Sequence, residues 1–515
     1  MGQKILTYEL GISETEAKAK FDALQQKLKS LWNTIDHMNQ DEQTIVVVPS
    51  ISVDVNIPGP LLQAYEERFL FLLLLLRQPR ARLVYVTSQA IPSDIVDYYL
   101  HLLPGVISSH ARKRLFMLSP LDGSSCPLSL KLLQRPRLLQ KIRSLIPDHD
   151  RAHLVPFMNT ILERDLALKL NIPMYGADPK FFSFGTKSSC RKLFAQEGVN
   201  HPFGVGDVRT VRDLVAAIVD IRNARPSVGQ VIVKHDEGVG GMGNAVLDLD
   251  GLPKPGSPGE PTAIEKRLSN FRFEVPEVTS DWYLEILAEH GGVVEERILG
   301  EEFRSPSAQI RITPLGEVEL LSTHDQILGG PSGQSYFGAR FPADEAYAST
   351  IMREAAKVGK RLAEEGVIGR LAVDFVAVRS NMGDWESYAI EINLRKGGTT
   401  HPFLTLQFLT DGTYDAQAGL FKTAEGNTKY FAATDHLESP LYRVFTHEDI
   451  FDIAAFEGLH FNQAHQTGVV FHMMSALGEY GRLGLTAVGD SHAEADDLQQ
   501  KTIAALDRAA ERALK

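Results

Sequence analysis

The sequence predicts an α/β protein of about three domains. Its 515 residues exceed what one hydrophobic core organises. Its first third alternates short apolar runs with amphipathic stretches, the pattern of a parallel sheet covered by helices. A second α/β unit leads to a glycine-rich hairpin at Val231 to Val246, and paired apolar runs joined by short polar turns follow.

In chain order, Glu14 to Asn33 reads as an amphipathic helix, and Thr44 to Pro49 as a strand buried on both faces. Phe69 to Leu76, bracketed by Arg68 and Arg77, is far shorter than the roughly 20 residues of a membrane span and reads as a buried core element. Arg82 to Thr87 and Leu115 to Leu118 read as further strands, with a helix over Pro92 to Leu103. A helix from Arg151 is expected to run into a short strand and turn at Asn171 to Gly176, and the next helix to open near Thr186-Lys187. Asp250 to Thr262 is dense in Pro and Gly and reads as an exposed excursion. Val293 to Gly300 reads as a strand leaving one lobe for another. Gln309 to Pro314 and Glu317 to Thr323 pair through a Leu315-Gly316 turn, and Leu371 to Val378 pairs with Ser387 to Asn393. A hairpin is expected around Gly478 to Gly481 and an Ala-rich amphipathic helix from Ala493 to the end.

Composition excludes several classes of function. A net charge of −12 argues against non-specific binding to nucleic acid or to anionic membranes. Two cysteines, Cys126 and Cys190, build neither a disulfide framework nor a zinc site and fit a reducing compartment, so the cytoplasm is the expected location. The N-terminus has no signal-peptide core, and Leu6 stands where a myristoylation motif starting at Gly2 needs Ser or Thr.

Two constellations carry chemistry. The first is Val231-Ile-Val-Lys234 followed by Gly238, Gly240, Gly241 and Gly243 and then a second apolar run. Glycines there let backbone N–H groups approach phosphate oxygens, and the lysine adds a point charge. The spacing also matches the dinucleotide fingerprint, but that motif needs a helix next, and Asn244 to Leu249 alternates as a strand does. A nucleoside triphosphate under a β-hairpin is the expectation. The second is Asp374 with Glu391 and Asn393. Alternation puts Glu391 and Asn393 on one strand face, and two carboxylates with an amide oxygen make a hard-cation site suited to Mg²⁺ or Mn²⁺. Arg395 follows two residues later and can hold a carboxylate or phosphoryl group through two parallel hydrogen bonds.

The ordered series Lys187, Lys234, the glycine hairpin, the Glu295-Glu296 linker, Asp374 and Glu391-x-Asn393-x-Arg395 resembles the ATP-grasp superfamily over roughly residues 180 to 410. Arg-Ala-His-Leu-Val-Pro-Phe from Arg151, Pro-Met-Tyr-Gly from Pro173, Ser-Thr-His324-Asp325-Gln326, the glycine-rich Gly329 to Tyr336 and Glu-Ile-Asn-Leu-Arg-Lys-Gly-Gly-Thr-Thr-His-Pro resemble the pheganomycin-type peptide ligases. The resemblance implies a pre-ATP-grasp α/β domain (1–180), a two-lobed ATP-grasp domain (181–414, lysine and glycine-hairpin lobe to about 294, metal-binding lobe after) and a small α+β C-terminal domain (415–515). It implies ATP and Mg²⁺ as cofactors, with Mn²⁺ as the substitute ion. Lys187 and Lys234 would contact the phosphates, Glu295 or Glu296 with Arg297 and Ile298 the adenine, and Glu302 the ribose. Asp374, Glu391 and Asn393 would hold the metal.

The activity implied is carboxylate–amine ligation. ATP converts a carboxylate to an acyl phosphate, and an amine of a small molecule or short peptide displaces phosphate. Many such ligases dimerise, but nothing in the chain locates an interface. One departure stands out: many ATP-grasp ligases place an arginine two residues before the metal-binding aspartate, and here that residue is Ala372, with Arg370 a step further away. Arg311, Arg340 and Arg395 are the candidates to replace it, and Asp325 with His324 is a candidate for holding the amine. The alternatives are an ATP-grasp small-molecule kinase or a non-catalytic nucleotide-binding regulator. The protein-kinase family is excluded, because Lys234 precedes the glycines and Asp374-Phe-Val replaces Asp-Phe-Gly.

Overall fold

Residues 8–36, 41–53, 57–238, 243–273, 278–329, 335–380 and 383–515 are described by a computed structural model. The first region is built on four parallel strands, β1 (Gln43–Val48), β2 (Ala81–Val86), β3 (Leu115–Leu118) and β4 (Ala152–Pro156), in the order β3-β2-β1-β4. β1 is buried along its whole length, as its run of Ile and Val requires. β4 departs from the sequence reading, which carried a helix from Arg151. Ala152 to Pro156 instead pairs beside β1, and the helix begins only at Ile161, where Thr160 and Glu163 form a capping box. Ala-His-Leu-Val-Pro is interrupted by His153 and lies close before the helix, so it lacks the unbroken apolar run that marks β1 and β3.

The next region carries a five-stranded antiparallel sheet: β5 (Gly204–Val208), β6 (Gln230–His235), β7 (Asn244–Asp248), β8 (Arg272–Phe273) and β9 (Gly292–Glu296), ordered β5-β9-β6-β7-β8. Helices Lys187–Gln196 and Val211–Ala224 pack against it. The β6–β7 pairing is the expected glycine hairpin, although Gly240 and Gly241 lie outside the described residues.

The remaining strands are β10 (Glu302–Ile312), β11 (Val318–Gly329), β12 (Ser335–Phe341), β13 (Gly369–Arg379), β14 (Glu386–Asn393), the small pair β15 (Thr413–Asp415) and β16 (Leu420–Lys422), then β17 (Tyr430–Glu438), β18 (Gly468–His472) and β19 (Arg482–Gly489). Eight of them form one antiparallel sheet, β14-β13-β10-β11-β12-β17-β19-β18. Helix Glu345–Glu364 covers one face, burying Ile351, Met352, Ala355 and Leu362 with Ile310, Leu371, Val373 and Phe375. The hairpin expected at Gly478 to Gly481 is a short helical turn, Leu477–Tyr480, leading from β18 toward β19.

The two ends of the chain share a core. One apolar cluster joins Ile45, Phe69 to Leu74 and Leu83 to Phe403, Phe431, Val470 and Leu485. Within the same contact Arg68 Nη1 donates to Asp435 Oδ2 at 2.6 Å, and Glu67 accepts from the backbone N–H groups of Met474 and Ser475 at 2.8 and 2.7 Å. Among the described residues no helix is long and apolar enough to cross a membrane.

The seam between β12 and β17 depends on Gly338. A Cβ there would fall 2.1 Å from the Ala433 carbonyl oxygen. Gly338→Ala is expected to prise the two strands apart at a cost of about 1–3 kcal/mol, read as a lower thermal transition; an unchanged transition would contradict it.

Candidate active site

The eight-stranded sheet turns one face toward the five-stranded sheet, and the antiparallel register brings the acids together on it. Asp374 lies opposite Glu391 and Ala372 opposite Asn393. Leu371, Val373 and Phe375 alternate onto the other face, into the core, which fixes Asp374 outward. Asn393 Nδ2 donates to Asp374 Oδ2 at 2.8 Å, and Gln326 Nε2 donates to Oδ1 at 2.9 Å. Burial and the neighbouring Glu391 carboxylate push Asp374 up to about 7, against the pull of Arg395 and Lys187. Two half-buried carboxylates side by side disfavour double ionisation, and a divalent cation reverses that preference. Asp374, Glu391 and the Asn393 amide oxygen are a fitting set of hard oxygen donors, with Asn393 turning its oxygen inward on an amide flip.

Cations close the site. Lys187, at the start of its helix, ion-pairs with Glu391. Burial works against its charge, but Glu391 outweighs that and its pKa is raised. Arg395 is half-buried beside Asp374 and Glu391, its guanidinium 5.8 Å from the centre of the Phe157 ring. Phe157 follows β4, at the point where the parallel sheet reverses its strand order, a usual place for ligands in such sheets. The same segment is tied to the acid-bearing strand by Asn159 Nδ2 donating to Leu394 O at 2.7 Å and Lys396 Nζ donating to Pro156 O at 2.8 Å.

On the five-stranded sheet, Lys234 Nζ donates to Glu295 Oε2 and Arg191 Nη1 to Oε1, both at 2.7 Å. Burial opposes the Glu295 charge, yet these two cations hold its carboxyl below the usual range. Glu296 turns the other way and accepts from the Phe203 N–H at 2.8 Å, so the register selects Glu295 as the inward acid. Arg297 donates to Gln230, and Ile298 is half-buried beyond it. Gly238 and Gly243 face each other so closely that a Cβ on Gly243 would sit 2.9 Å from the Gly238 Cα. The hairpin base is joined to the Lys187 helix, because Asp236 accepts from the N–H groups of Lys187 and Ser188 at 3.3 and 2.7 Å.

Four candidates stand elsewhere. Asp325 is on the opposite sheet face, accepting from Tyr347 Oη at 2.7 Å and Asp344 N at 2.9 Å. Its neighbour Gln326 is the residue that reaches Asp374, a difference of strand parity alone. Arg340 is half-exposed and pairs with Asp496 at 3.0 Å. Arg311 shares the Asp374 face but lies four residues along β10 from Ser307, the partner of Asp374, or about 13 Å; it pairs with Glu319 and covers Trp32 of the first helix. Glu302 is ion-paired with Arg379, which stacks on Trp385 on the helix-covered side of the sheet. His324 is buried among Phe341, Phe403 and Phe431 and pushed down to about 3 by burial, so it stays neutral at physiological pH. Arg191 and Gln326 were not assigned roles from sequence. Arg191 is legible only as one helical turn beyond Lys187, and Gln326 as the residue that shares the His324 strand face two positions on.

Residues 181–257 and 274–417 match the family described as IQCH-like, ATP-grasp. The chain carries an ATP-grasp domain. Residues 449–502, beyond the ATP-grasp domain, match the family described as the PGM1 C-terminal domain. Over 447 residues the chain is 29% identical to L-propargylglycine–L-glutamate ligase of Streptantibioticus cattleyicolor, covering 85% of this chain and 88% of that one. It is 24% identical over 470 residues to IQ motif-containing protein H of Danio rerio, covering 82% of this chain but 44% of that longer protein. Two solved structures share the fold at 12% identity and a TM-score of 0.51: an ADP complex of N5-carboxyaminoimidazole ribonucleotide synthetase (91% of this chain, 98% of that chain) and a biotin carboxylase from Campylobacter jejuni (91% and 96%). At that identity the likeness is one of fold.

Proposed function

We propose that the protein is an ATP-dependent carboxylate–amine ligase that joins amino acids or short peptides through an acyl phosphate. The observation that carries this reading is the single sheet face bearing Asp374, Glu391, Asn393 and Arg395, with Lys187 reaching it from the facing lobe. The amino-acid class of substrate rests on the likeness to L-propargylglycine–L-glutamate ligase. Asp374, Glu391 and Asn393 would hold Mg²⁺, which when bound supplies charge neutralisation for the phosphates. Lys187 and Lys234 would meet the phosphate oxygens, and the β6–β7 hairpin would cover them and exclude water from the labile acyl phosphate. Glu295, held by Arg191, keeps Lys234 extended toward the site and offers the linker acid for adenine.

A substrate carboxylate oxygen attacks the γ-phosphorus as the bond to ADP breaks. Arg395 positions that carboxylate and offsets the charge that later develops on its oxygen. The amine nitrogen then attacks the acyl carbon, phosphate leaves, and the amine gives up a proton.

The deciding experiment is ATP-dependent phosphate release over pooled amino acids and dipeptides with Mg²⁺, followed by mass spectrometry. A product of mass acid plus amine minus water, with ADP and phosphate in equal amounts, supports ligation. A phosphorylated product would instead make the protein a kinase, and ATP binding without turnover in any pool would favour a regulator. The proton on Asp374 adds a pH test. Protonated Asp374 holds a cation poorly, so at subsaturating Mg²⁺ the rate is expected to fall as pH drops through about 7, and saturating Mg²⁺ is expected to move that limb to lower pH. A flat profile at low Mg²⁺ across that value would count against the assignment.

A further inference from the structure

A second group of metal-ligating side chains lies away from the Asp374 face. Among the described residues His401, Asp435 and His472 bring their donor atoms together in the core. They come from three separate elements: the first turn of helix Thr400–Thr410, the middle of β17 and the last residue of β18. His472 Nε2 is 2.9 Å from Asp435 Oδ1, His401 Nε2 is 3.5 Å from the same oxygen, and the two nitrogens are 3.1 Å apart. All three residues are at most 4% exposed.

Hydrogen bonding alone fits this triangle badly. Protons on both Nε2 atoms would confront one another across 3.1 Å, while a proton on His472 alone must be shared between the Asp435 oxygen at 2.9 Å and the His401 lone pair at 3.1 Å. A cation at the centre uses all three lone pairs. Donors at zinc distances of about 2.0–2.1 Å in a tetrahedron lie about 3.3 Å from one another, the size of the observed triangle.

The surroundings are those of a supported site. Arg68 Nη1 takes the other Asp435 oxygen at 2.6 Å and leaves Oδ1 turned to the histidines. Arg482 Nε donates to the Asp435 carbonyl at 2.9 Å and fixes the backbone there. Gly484 makes room for the His472 ring, since a Cβ at 484 would fall 2.2 Å from its Nε2.

We infer that His401, Asp435 and His472 form a zinc site that pins the start of helix Thr400–Thr410 to strands β17 and β18. Two imidazoles and a carboxylate suit Zn²⁺ better than Mg²⁺, which prefers oxygen donors. With Arg68 adjacent, the ion brings more positive charge than Asp435 balances, so hydroxide or a carboxylate completes the coordination.

The test is metal analysis of the full chain, purified without chelators and dialysed against metal-free buffer, beside His401→Ala and His472→Ala. The expected result is zinc equimolar with the chain and lost in both variants, with a lower thermal transition on chelation of the wild type. Replacement by Co²⁺ is expected to give intense visible absorption of tetrahedral type, a readout that needs no variant to fold. Zinc far below equimolar with no Co²⁺ absorption, zinc retained in both variants, or equimolar iron in its place would overturn the proposal.

Discussion

Asp374→Asn is expected to lower ATP-dependent phosphate release by roughly 10²–10³-fold, the scale seen when one preorganised charge-stabilising group is removed from an active site. The same substitution is expected to make the ligand-free protein more stable at alkaline pH. Asp374 is raised from 3.8 to about 7 by burial and by Glu391, so the folded state favours its protonated form. The stability associated with that preference is fully present below 3.8 and is lost as pH rises through about 7, where the buried carboxylate must carry its charge. Asn carries none, and the Gln326 amide can flip to present its oxygen to the new NH₂ group. Thermal unfolding above and below that pH, without nucleotide or Mg²⁺, checks the second half. A variant less stable than wild type in alkaline buffer would mean that Asp374 is not under electrostatic strain.

In protein stripped of metal by a chelator, so that Arg68 alone faces the Asp435 carboxylate, Arg68→Ala is expected to destabilise the fold by about 3–5 kcal/mol, the range for stripping one partner from a buried ion pair. Asp435 would be left in the core without the guanidinium that balances it, and Tyr65 and Phe157 would lose the cation that lies against their rings. The double change Arg68→Met with Asp435→Leu is expected to recover part of that loss, because the penalty comes from the orphaned charge more than from the missing attraction. Thermal or urea unfolding of the single and double variants decides this. A single variant within about 0.5 kcal/mol of wild type, the usual span for surface changes, would show that water reaches Asp435.

Much of the candidate site was legible because strand alternation is strict. Glu391 and Asn393, two residues apart, had to share a face, and their strand pairs with the one bearing Asp374. The errors are errors of parity or of distance along the chain. Asp325 and Gln326 are adjacent, so one faces the acids and the other the covering helix, and nothing in the local pattern says which. Glu295 and Glu296 pose the same choice, decided by cations on β6 and on the Lys187 helix rather than by their own strand. β4 is not legible because His153 interrupts its apolar run just before a helix, whereas the shorter Leu115–Leu118 is unbroken. The partnership of β12 with β17 was hidden for a different reason: it matches Phe341 with Phe431 across a long intervening stretch, and non-local pairing leaves no signature in either segment.

That partnership also bears on how the chain can be divided. A shortened protein ending near residue 414 would bare the backbone edge of β12 from Gly338 to Phe341, together with apolar side chains that β17 covers. Unpaired strand edges recruit strands from other molecules. Such a fragment is expected to aggregate rather than to work as a minimal catalyst, and a recombination event at that point would have to bring a replacement strand with it. The sheet that bears Asp374 and the strands after residue 414 are therefore expected to fold only together.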